Sequence, residues 1–172
     1  TLASIVAAAS PLVYAVVGET IAEKAGVINL SLDGSIMLSA MAGFATAYVT
    51  GSALLGFLVA MLVSMVVALL IAFASIELRL NQIAVGFVLT LLCADLASFL
   101  GDPYVGQRAA GVPPLSIPGL RDIPFLGTVL FRHNLSVYGS FLVIILAYWF
   151  IFHTRRGLEL QAVGERPEAA HA

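Results

Sequence analysis

The chain has 172 residues, of which 60% are hydrophobic and only 10% are charged, and its formal net charge is −2. Soluble globular domains contain about 45–50% apolar and about 25% charged residues, so this composition excludes an ordinary soluble domain. Eight basic residues against ten acidic ones indicate no nucleic-acid partner. The sequence therefore predicts an all-α integral membrane protein, a polytopic helical bundle in the lipid bilayer.

Five apolar stretches have about the 20 residues that a membrane-spanning helix needs. They cover residues 2–18, 27–49, 53–76, 83–101 and 135–152. Pro11 lies inside the first stretch and predicts either a packing kink or a gating hinge. The third stretch is apolar all round, and we expect it to face lipid and neighbouring helices. A short polar turn joins it to the fourth, which predicts an antiparallel helical hairpin.

Three polar side chains, Asn29, Ser31 and Asp33, interrupt the start of the second stretch. One hypothesis is a functional break in a membrane helix, in which Asp33 caps a half-helix that begins beside Gly34. The alternative is a cytosolic loop that ends in an ordinary helix cap. The small residues that follow, up to Tyr48, predict close packing against other helices.

The fourth stretch contains Asp95 and Ser98, which are three residues apart and so share one face of a helix. One interpretation is a polar wall of a translocation path, since ionisable groups inside a membrane often mark such paths. The other interpretation is a single hydrogen bond between two helices.

The connection over residues 102–136 contains five of the seven prolines, which predicts an irregular loop packed on the membrane surface. The fifth stretch ends in aromatic residues followed by Arg155 and Arg156, which favours a cytosolic location for residues 154–172. Alternation of the spans then makes the 102–136 loop extracytoplasmic. Five basic residues would lie in the cytosol and three outside, a bias in the expected direction.

The tail predicts a short helix over residues 158–163, with Gly164 as its left-handed cap and Pro167 as the first residue of a second helix. The single cysteine, Cys93, excludes an intramolecular disulfide. The three histidines are far apart, so we expect no metal site. The chain has no GxxxxGK[ST] loop, so we expect neither bound ATP nor another cofactor.

Three segments together resemble the permease subunits of bacterial ABC importers of the branched-chain amino acid, ribose and nucleoside type. EKAGVINLSLDGSIMLSA, from Glu23, resembles the segment after their first span. LRLNQIAVGFVLTLL, from Leu78, resembles a later span, and TRRGLELQAVGERPEAA, from Thr154, resembles the cytosolic loop with the coupling helix. The nearest likeness is to nucleoside or simple-sugar permeases, which have Gly-Leu-Glu-Gly where this chain has Ser-Leu-Asp-Gly, residues 31–34.

The resemblance implies a transport subunit, not an enzyme, in the bacterial plasma (inner) membrane, for a small polar solute such as a nucleoside or simple sugar. Its implied partners are a separate ABC ATPase subunit that uses the ATP, a second permease subunit in a homo- or heterodimer, and an extracytoplasmic solute-binding protein. Such permeases run to about twice the length of an average domain, so residues 1–172 are expected to be the N-terminal part of the transmembrane domain.

Two sets of site residues follow from this interpretation. The candidates for the substrate path are Asn29, Ser31, Asp33, Asp95 and Ser98. The candidates for ATPase coupling are Gly157, Leu158, Val163, Gly164, Glu165 and Pro167.

Two other classes of function remain open. An ion-coupled secondary transporter would use Asp33 and Asp95 as proton or cation sites, because intramembrane carboxylates commonly serve that purpose. An intramembrane enzyme ranks last, because the sequence has neither metal-ligand spacing nor a converging Ser/His/Asp set.

Overall fold

The computed structural model describes residues 2–109, 111, 114–116 and 132–165. In chain order the helices are α1 (Leu2–Lys24), α2 (Leu32–Thr50), α3 (Ala53–Ile76), α4 (Gln82–Gly101), α5 (Leu135–His153) and α6 (Arg155–Glu165). A 3₁₀ turn, Asp102–Tyr104, follows α4, and a small antiparallel sheet pairs β1 (Pro114–Ser116) with β2 (Arg132–Asn134). Among these residues, the five helices α1 to α5 are long and apolar enough to cross a membrane, which confirms the predicted fold class.

Three of the predicted spans match their helices to within a residue, but α1 and α2 differ. α1 continues past Gly18 to Lys24, because residues 19–24 are mostly good helix formers and Lys24 supplies a favourable cation at the C-terminus. α2 begins at Leu32 and not at Val27. Residues 25–31 are therefore a non-helical connection within the sequence that hydropathy assigns to the second span.

Pro11 lies in the middle of α1, and the helix runs through it. A proline cannot donate to the carbonyl four residues earlier, which here is that of Ala7. The Ser10 hydroxyl donates to this carbonyl instead, at 3.0 Å. The side chain next to the proline thus replaces the backbone donor that the proline removes.

The chain divides into two compact units, one formed by residues 28–111 and the other by residues 1–27 with 112–172. In the 28–111 unit, α2 packs against both α3 and α4. Its buried core joins Val67 and Ile71 of α3 to Cys93 of α4, with Leu38 and Leu89 packed against them.

Small residues bring α2 and α3 together, as the sequence predicted. A Cβ atom on Gly56 would lie 2.6 Å from the Gly43 carbonyl oxygen and 3.0 Å from the Ala47 side chain. α3 and α4 also contact each other, in agreement with the predicted hairpin. The Asn81 side chain starts α4 by accepting hydrogen bonds from the amides of Ile83 and Ala84.

The other unit contains α1, α5, α6 and the small sheet, and α1 packs against α5. The Tyr14 hydroxyl donates to the Ser136 carbonyl at 2.6 Å. Gly139, less than one turn further along α5, leaves space for that hydroxyl, because a Cβ atom at this position would collide with it. α6 contacts both α5 and α1.

Candidate functional site

Residues 28–31 precede α2 as non-helical backbone, and we call them the irregular segment. Ser31 is the N-cap residue of α2, but its side chain makes no capping hydrogen bond. Instead, Asn29 Oδ1 accepts from the Ser31 amide at 3.0 Å and from the Ser31 hydroxyl at 2.7 Å. The polar side chains of the segment thus stabilise a local turn that competes with helix formation.

The predicted capping role of Asp33 is wrong. A capping side chain belongs to the residue before the first helical one, and that residue is Ser31. Asp33 is already the second residue of α2, and it is exposed. Its carboxylate therefore lies in the first turn, where the helix dipole favours a negative charge.

The irregular segment lies directly against α4, where two glycines allow a close approach. A Cβ atom on Gly86 would lie 3.1 Å from the Leu30 amide nitrogen, and one on Gly34 would lie 2.6 Å from the Thr90 Cα atom. Further along, a Cβ atom on Gly101 would lie 3.3 Å from Met41 Cγ. In these three contacts the residue numbers increase together on the two sides, so α2 and α4 run parallel.

A hydrogen bond joins the segment to α4, because the Thr90 hydroxyl donates to the Leu30 carbonyl. Thr90 is eight residues from the start of α4, or about 12 Å along the helix axis at 1.5 Å per residue. Non-helical backbone at such a depth in a membrane is tolerated only where protein groups satisfy it or where it lines a cavity. This geometry favours the functional break over the cytosolic loop.

The structure separates the path candidates into two groups. Ser31 is completely buried and Asn29 is half-buried in the irregular segment. Asp95 and Ser98 are exposed on α4, whereas Cys93 and Ala97 of the same helix are buried. Asp95 is two residues, or about 200°, away from each of those buried residues, so it lies on the outer side of α4. Within the described residues, Asp95 makes no hydrogen bond to another helix.

The tail forms α6, which is fastened to the end of α5. Thr154 Oγ1 accepts from the Gly157 amide at 3.0 Å and donates to the Phe150 carbonyl at 2.6 Å. Gln161 Nε2 donates to the Ile151 carbonyl at 2.8 Å. Gly157 is buried against the same turn, and a Cβ atom there would collide with the Phe150 carbonyl oxygen.

The predicted left-handed cap at Gly164 is wrong, because α6 continues through it to Glu165. This glycine is needed for packing, since a Cβ atom on it would collide with the Lys24 carbonyl oxygen and lie 2.9 Å from the Gly26 amide nitrogen. Gly26 itself has a φ of +80°, a left-handed conformation that favours glycine. The contact joins the end of α1 to the tail, as expected if both lie on one side of the membrane. Pro167 lies outside the described residues.

α6 has two different sides. Gly157, Gln161 and Gly164 face α5 or α1, as their contacts show. Leu158 and Val163 are 56% and 46% exposed, and the charged residues Glu159 and Glu165 are exposed with them. Of the coupling candidates, Leu158, Val163 and Glu165 are therefore available to a partner, whereas the two glycines position the helix.

Three further residues belong to this arrangement and were not predicted from the sequence: Gly26, Gly86 and Thr90. The sequence contains only a weak indication of their role. Gly86 and Thr90 are four residues apart inside an apolar span, so a residue without a side chain and a hydroxyl group lie on one helix face. Among the described residues, no three His, Cys, Asp or Glu side chains come together in a way that could hold a metal ion.

Comparison with known proteins agrees with the resemblance of the three segments. The "Putative glucose ABC transporter permease protein TsgC13" of Haloferax volcanii is 37% identical over 169 residues, which cover 96% of this chain and 51% of that protein. The guanosine ABC transporter permease protein NupQ of Bacillus subtilis is 33% identical, over 94% of this chain and 54% of its own. The nucleoside ABC transporter permease protein NupC of Lactococcus lactis is 30% identical, with the same two coverages.

The chain thus spans about half the length of the curated relatives it matches. No solved structure matches it. The sequence profile described as "Branched-chain amino acid transport system / permease component" matches residues 1–172. The match extends over the whole of this sequence, including the irregular segment, α4 and α6, and the chain belongs to this family of multi-pass membrane permeases.

Proposed function

We propose that this chain is the N-terminal part of a permease subunit in an ATP-driven ABC importer. The solute would be small and polar, a nucleoside or a simple sugar, because the relatives at 30% identity or more are named as glucose, guanosine or nucleoside permeases. The importer would reside in a bacterial plasma (inner) membrane, with residues 154–172 in the cytosol and residues 102–136 outside.

The observation that carries this proposal is the form of α6. This short helix is bound on one side to the end of α5 and presents Leu158 and Val163 on the other. Apolar side chains between charges suit a cytosolic protein partner, which we propose is the ATPase subunit. This chain has no phosphate-binding loop of its own, so the energy would come from that partner.

The attachment of α6 suggests how movement would pass into the membrane. Thr154 and Gln161 bond to carbonyls of the last turn of α5, and Gly157 leaves no gap between the helices. A displacement of α6 by the ATPase would therefore be transmitted to α5 instead of being lost in a flexible joint. The close contact of Gly164 with the turn after α1 would transmit it to α1 as well.

The solute path in this proposal includes the irregular segment. Non-helical backbone offers amide and carbonyl groups that a helix would use internally, and transporters place such groups beside their substrates. Asn29 and Asp33 would supply further hydrogen-bonding atoms for sugar hydroxyls, whereas Ser31, a predicted path residue, is completely buried and holds the Asn29 side chain. Asp95 and Ser98, on the outer side of α4, would line the path only if another span of the importer covers that face.

The other proposed partners are a second permease subunit and an extracytoplasmic solute-binding protein. A purified full-length importer tests all of these assignments, since the ATPase and the second subunit should co-purify in mild detergent. In proteoliposomes, we expect the binding protein to stimulate ATP hydrolysis and to drive uptake of labelled glucose or guanosine. A lone protein whose uptake follows the proton gradient would instead support the ion-coupled transporter, with Asp33 and Asp95 as its ion sites.

A double substitution, Leu158→Ala with Val163→Ala, tests α6 in particular. Because both side chains would be buried at the ATPase interface, we expect the stimulated rate of ATP hydrolysis to fall about tenfold or more. Leu142→Ala is the matched control, because Leu142 is 57% exposed on α5, close to the 56% of Leu158. Unchanged stimulation in the double variant would show that α6 is not the docking element.

A further inference from the structure

Thr90 differs from the other threonines whose hydrogen bonds are known. The hydroxyls of Thr20, Thr46 and Thr50 each donate to the carbonyl four residues earlier in the same helix, and that of Thr154, between α5 and α6, donates to the Phe150 carbonyl of α5. This is the usual bond of a threonine within a helix. The Thr90 hydroxyl instead donates to the Leu30 carbonyl, 60 residues away in sequence.

The carbonyl that Thr90 binds belongs to the irregular segment. Because α2 begins only at Leu32, the Leu30 carbonyl lies before the helix and outside its ladder of hydrogen bonds. The Thr90 hydroxyl therefore supplies a donor that the local backbone lacks.

The contacts on both sides of this bond fix its position. Gly86, one turn before Thr90, allows the Leu30 backbone to approach α4, and Gly34 allows the first turn of α2 to lie on the Thr90 backbone. Asn29 and Ser31 flank Leu30 and are bonded to each other. Any displacement of Leu30 would thus carry these two polar residues with it.

We propose that Thr90 is a positioning residue that holds the irregular segment against α4 and can release it. Release need not leave the hydroxyl unpaired, because rotation about χ1 would direct it to a carbonyl of its own helix, as in Thr20, Thr46 and Thr50. The bond to Leu30 is therefore one of two alternatives for the same donor. The contact between the irregular segment and the solute rests on the proposed function. The attachment of the segment to α4 by Thr90 does not depend on that function.

Hydrogen–deuterium exchange of the full-length protein in nanodiscs, followed in peptides covering residues 25–35, tests the hold. Thr90→Val keeps the shape of the side chain but removes the donor, and we expect exchange in these peptides to accelerate about fivefold. Thr90→Ser restores a hydroxyl and should return exchange to the wild-type rate. Thr46→Val, which removes a hydroxyl that serves only its own helix, is the control and should leave these peptides unchanged.

Unchanged exchange in Thr90→Val would overturn the proposal, and so would equal acceleration in Thr46→Val or in peptides throughout the chain. If Thr90→Val does not fold, Gly86→Ala disturbs the same contact from α4, since its Cβ atom would lie 3.2 Å from Leu30 Cβ. Faster exchange limited to residues 25–35 would then support the hold, and its absence would contradict it.

Uptake of glucose or guanosine tests the link to transport. We expect Thr90→Val to raise KM about fivefold with a smaller change in maximal rate, and Thr90→Ser to restore KM, because displacement of Asn29 would weaken solute binding. Faster exchange with an unchanged KM would leave the hold intact and overturn the role of the segment in the solute path. Absence of ATP-driven uptake by the wild-type importer would contradict the proposed function, whatever the exchange result.

Discussion

The irregular segment and α6 are each held by glycines together with a side chain that donates to a backbone carbonyl. Gly34, Gly86 and Thr90 hold the segment, and Gly157, Gly164 and Gln161 hold α6. The difference is in the surroundings. The segment lies about 12 Å along a membrane span, whereas α6 follows the last described span at the predicted cytosolic surface. Water replaces a lost hydrogen bond more readily at a membrane surface than within a membrane span. The two contacts should therefore respond differently to the same kind of substitution.

The largest effect is expected from Gly34→Ala. Its Cβ atom would lie 2.6 Å from the Thr90 Cα atom, so the backbones of α2 and α4 would have to move apart. We expect the free energy of unfolding in detergent to fall by about 1–3 kcal/mol. Gly18→Ala, in the open part of α1, is the control and should instead stabilise by about 0.5–1 kcal/mol through helix propensity. Equal effects of the two substitutions would contradict the packing between α2 and α4.

A smaller effect on folding, but a clear one on transport, is expected from Gly164→Ala. The new methyl group would collide with the Lys24 carbonyl oxygen, and α6 at the surface can shift to avoid it. We expect near-normal unfolding but a several-fold loss of binding-protein-stimulated ATP hydrolysis. Ala162→Ser, at an exposed position of the same helix, should change neither quantity. If Gly164→Ala lowers the free energy of unfolding as much as Gly34→Ala does, the predicted difference between the irregular segment and α6 is wrong.

The smallest effect is expected from Gln161→Met, which removes the bond to the Ile151 carbonyl but keeps the length of the side chain. A single neutral hydrogen bond contributes little net stability, so we expect a loss of unfolding free energy of about 0.5 kcal/mol. Thr90→Val should cost more, about 1 kcal/mol, because its acceptor lies at membrane depth. Parallel unfolding measurements on both variants compare the two environments directly, and the reverse order would contradict the assigned depth of Thr90.

The number of spans and most of their ends could be predicted because each depends on side chains that are neighbours in sequence. α3, Ala53–Ile76, coincides with its predicted stretch, since a run of apolar residues has a length that the bilayer selects. The start of α2 could not be predicted in the same way. Hydropathy is the same for helical and non-helical apolar backbone, so Val27 and Leu32 look alike as starting points.

The candidate site was only partly predictable for a related reason. Asn29 and Ser31 were singled out because they are polar in an apolar chain, but Thr90 binds a residue 60 positions away, and local patterns carry no information about such a contact. Gly164 was assigned to a turn because glycine after a helical stretch usually ends it. In the structure, Gly164 instead leaves space for the backbone at Lys24. This contact joins segments that are distant in sequence, so local patterns do not predict it.

The Ser10 hydroxyl has a mechanical consequence for α1. Because it bonds to the carbonyl that Pro11 leaves free, α1 needs no hydrogen-bond donor from a neighbouring helix at that position. The backbone hydrogen bond that Pro11 removes is thus replaced within α1 itself. Near Pro11, α1 is therefore attached to its unit through the Tyr14 hydroxyl, which donates to the Ser136 carbonyl, and not through a donor to the carbonyl that the proline leaves free.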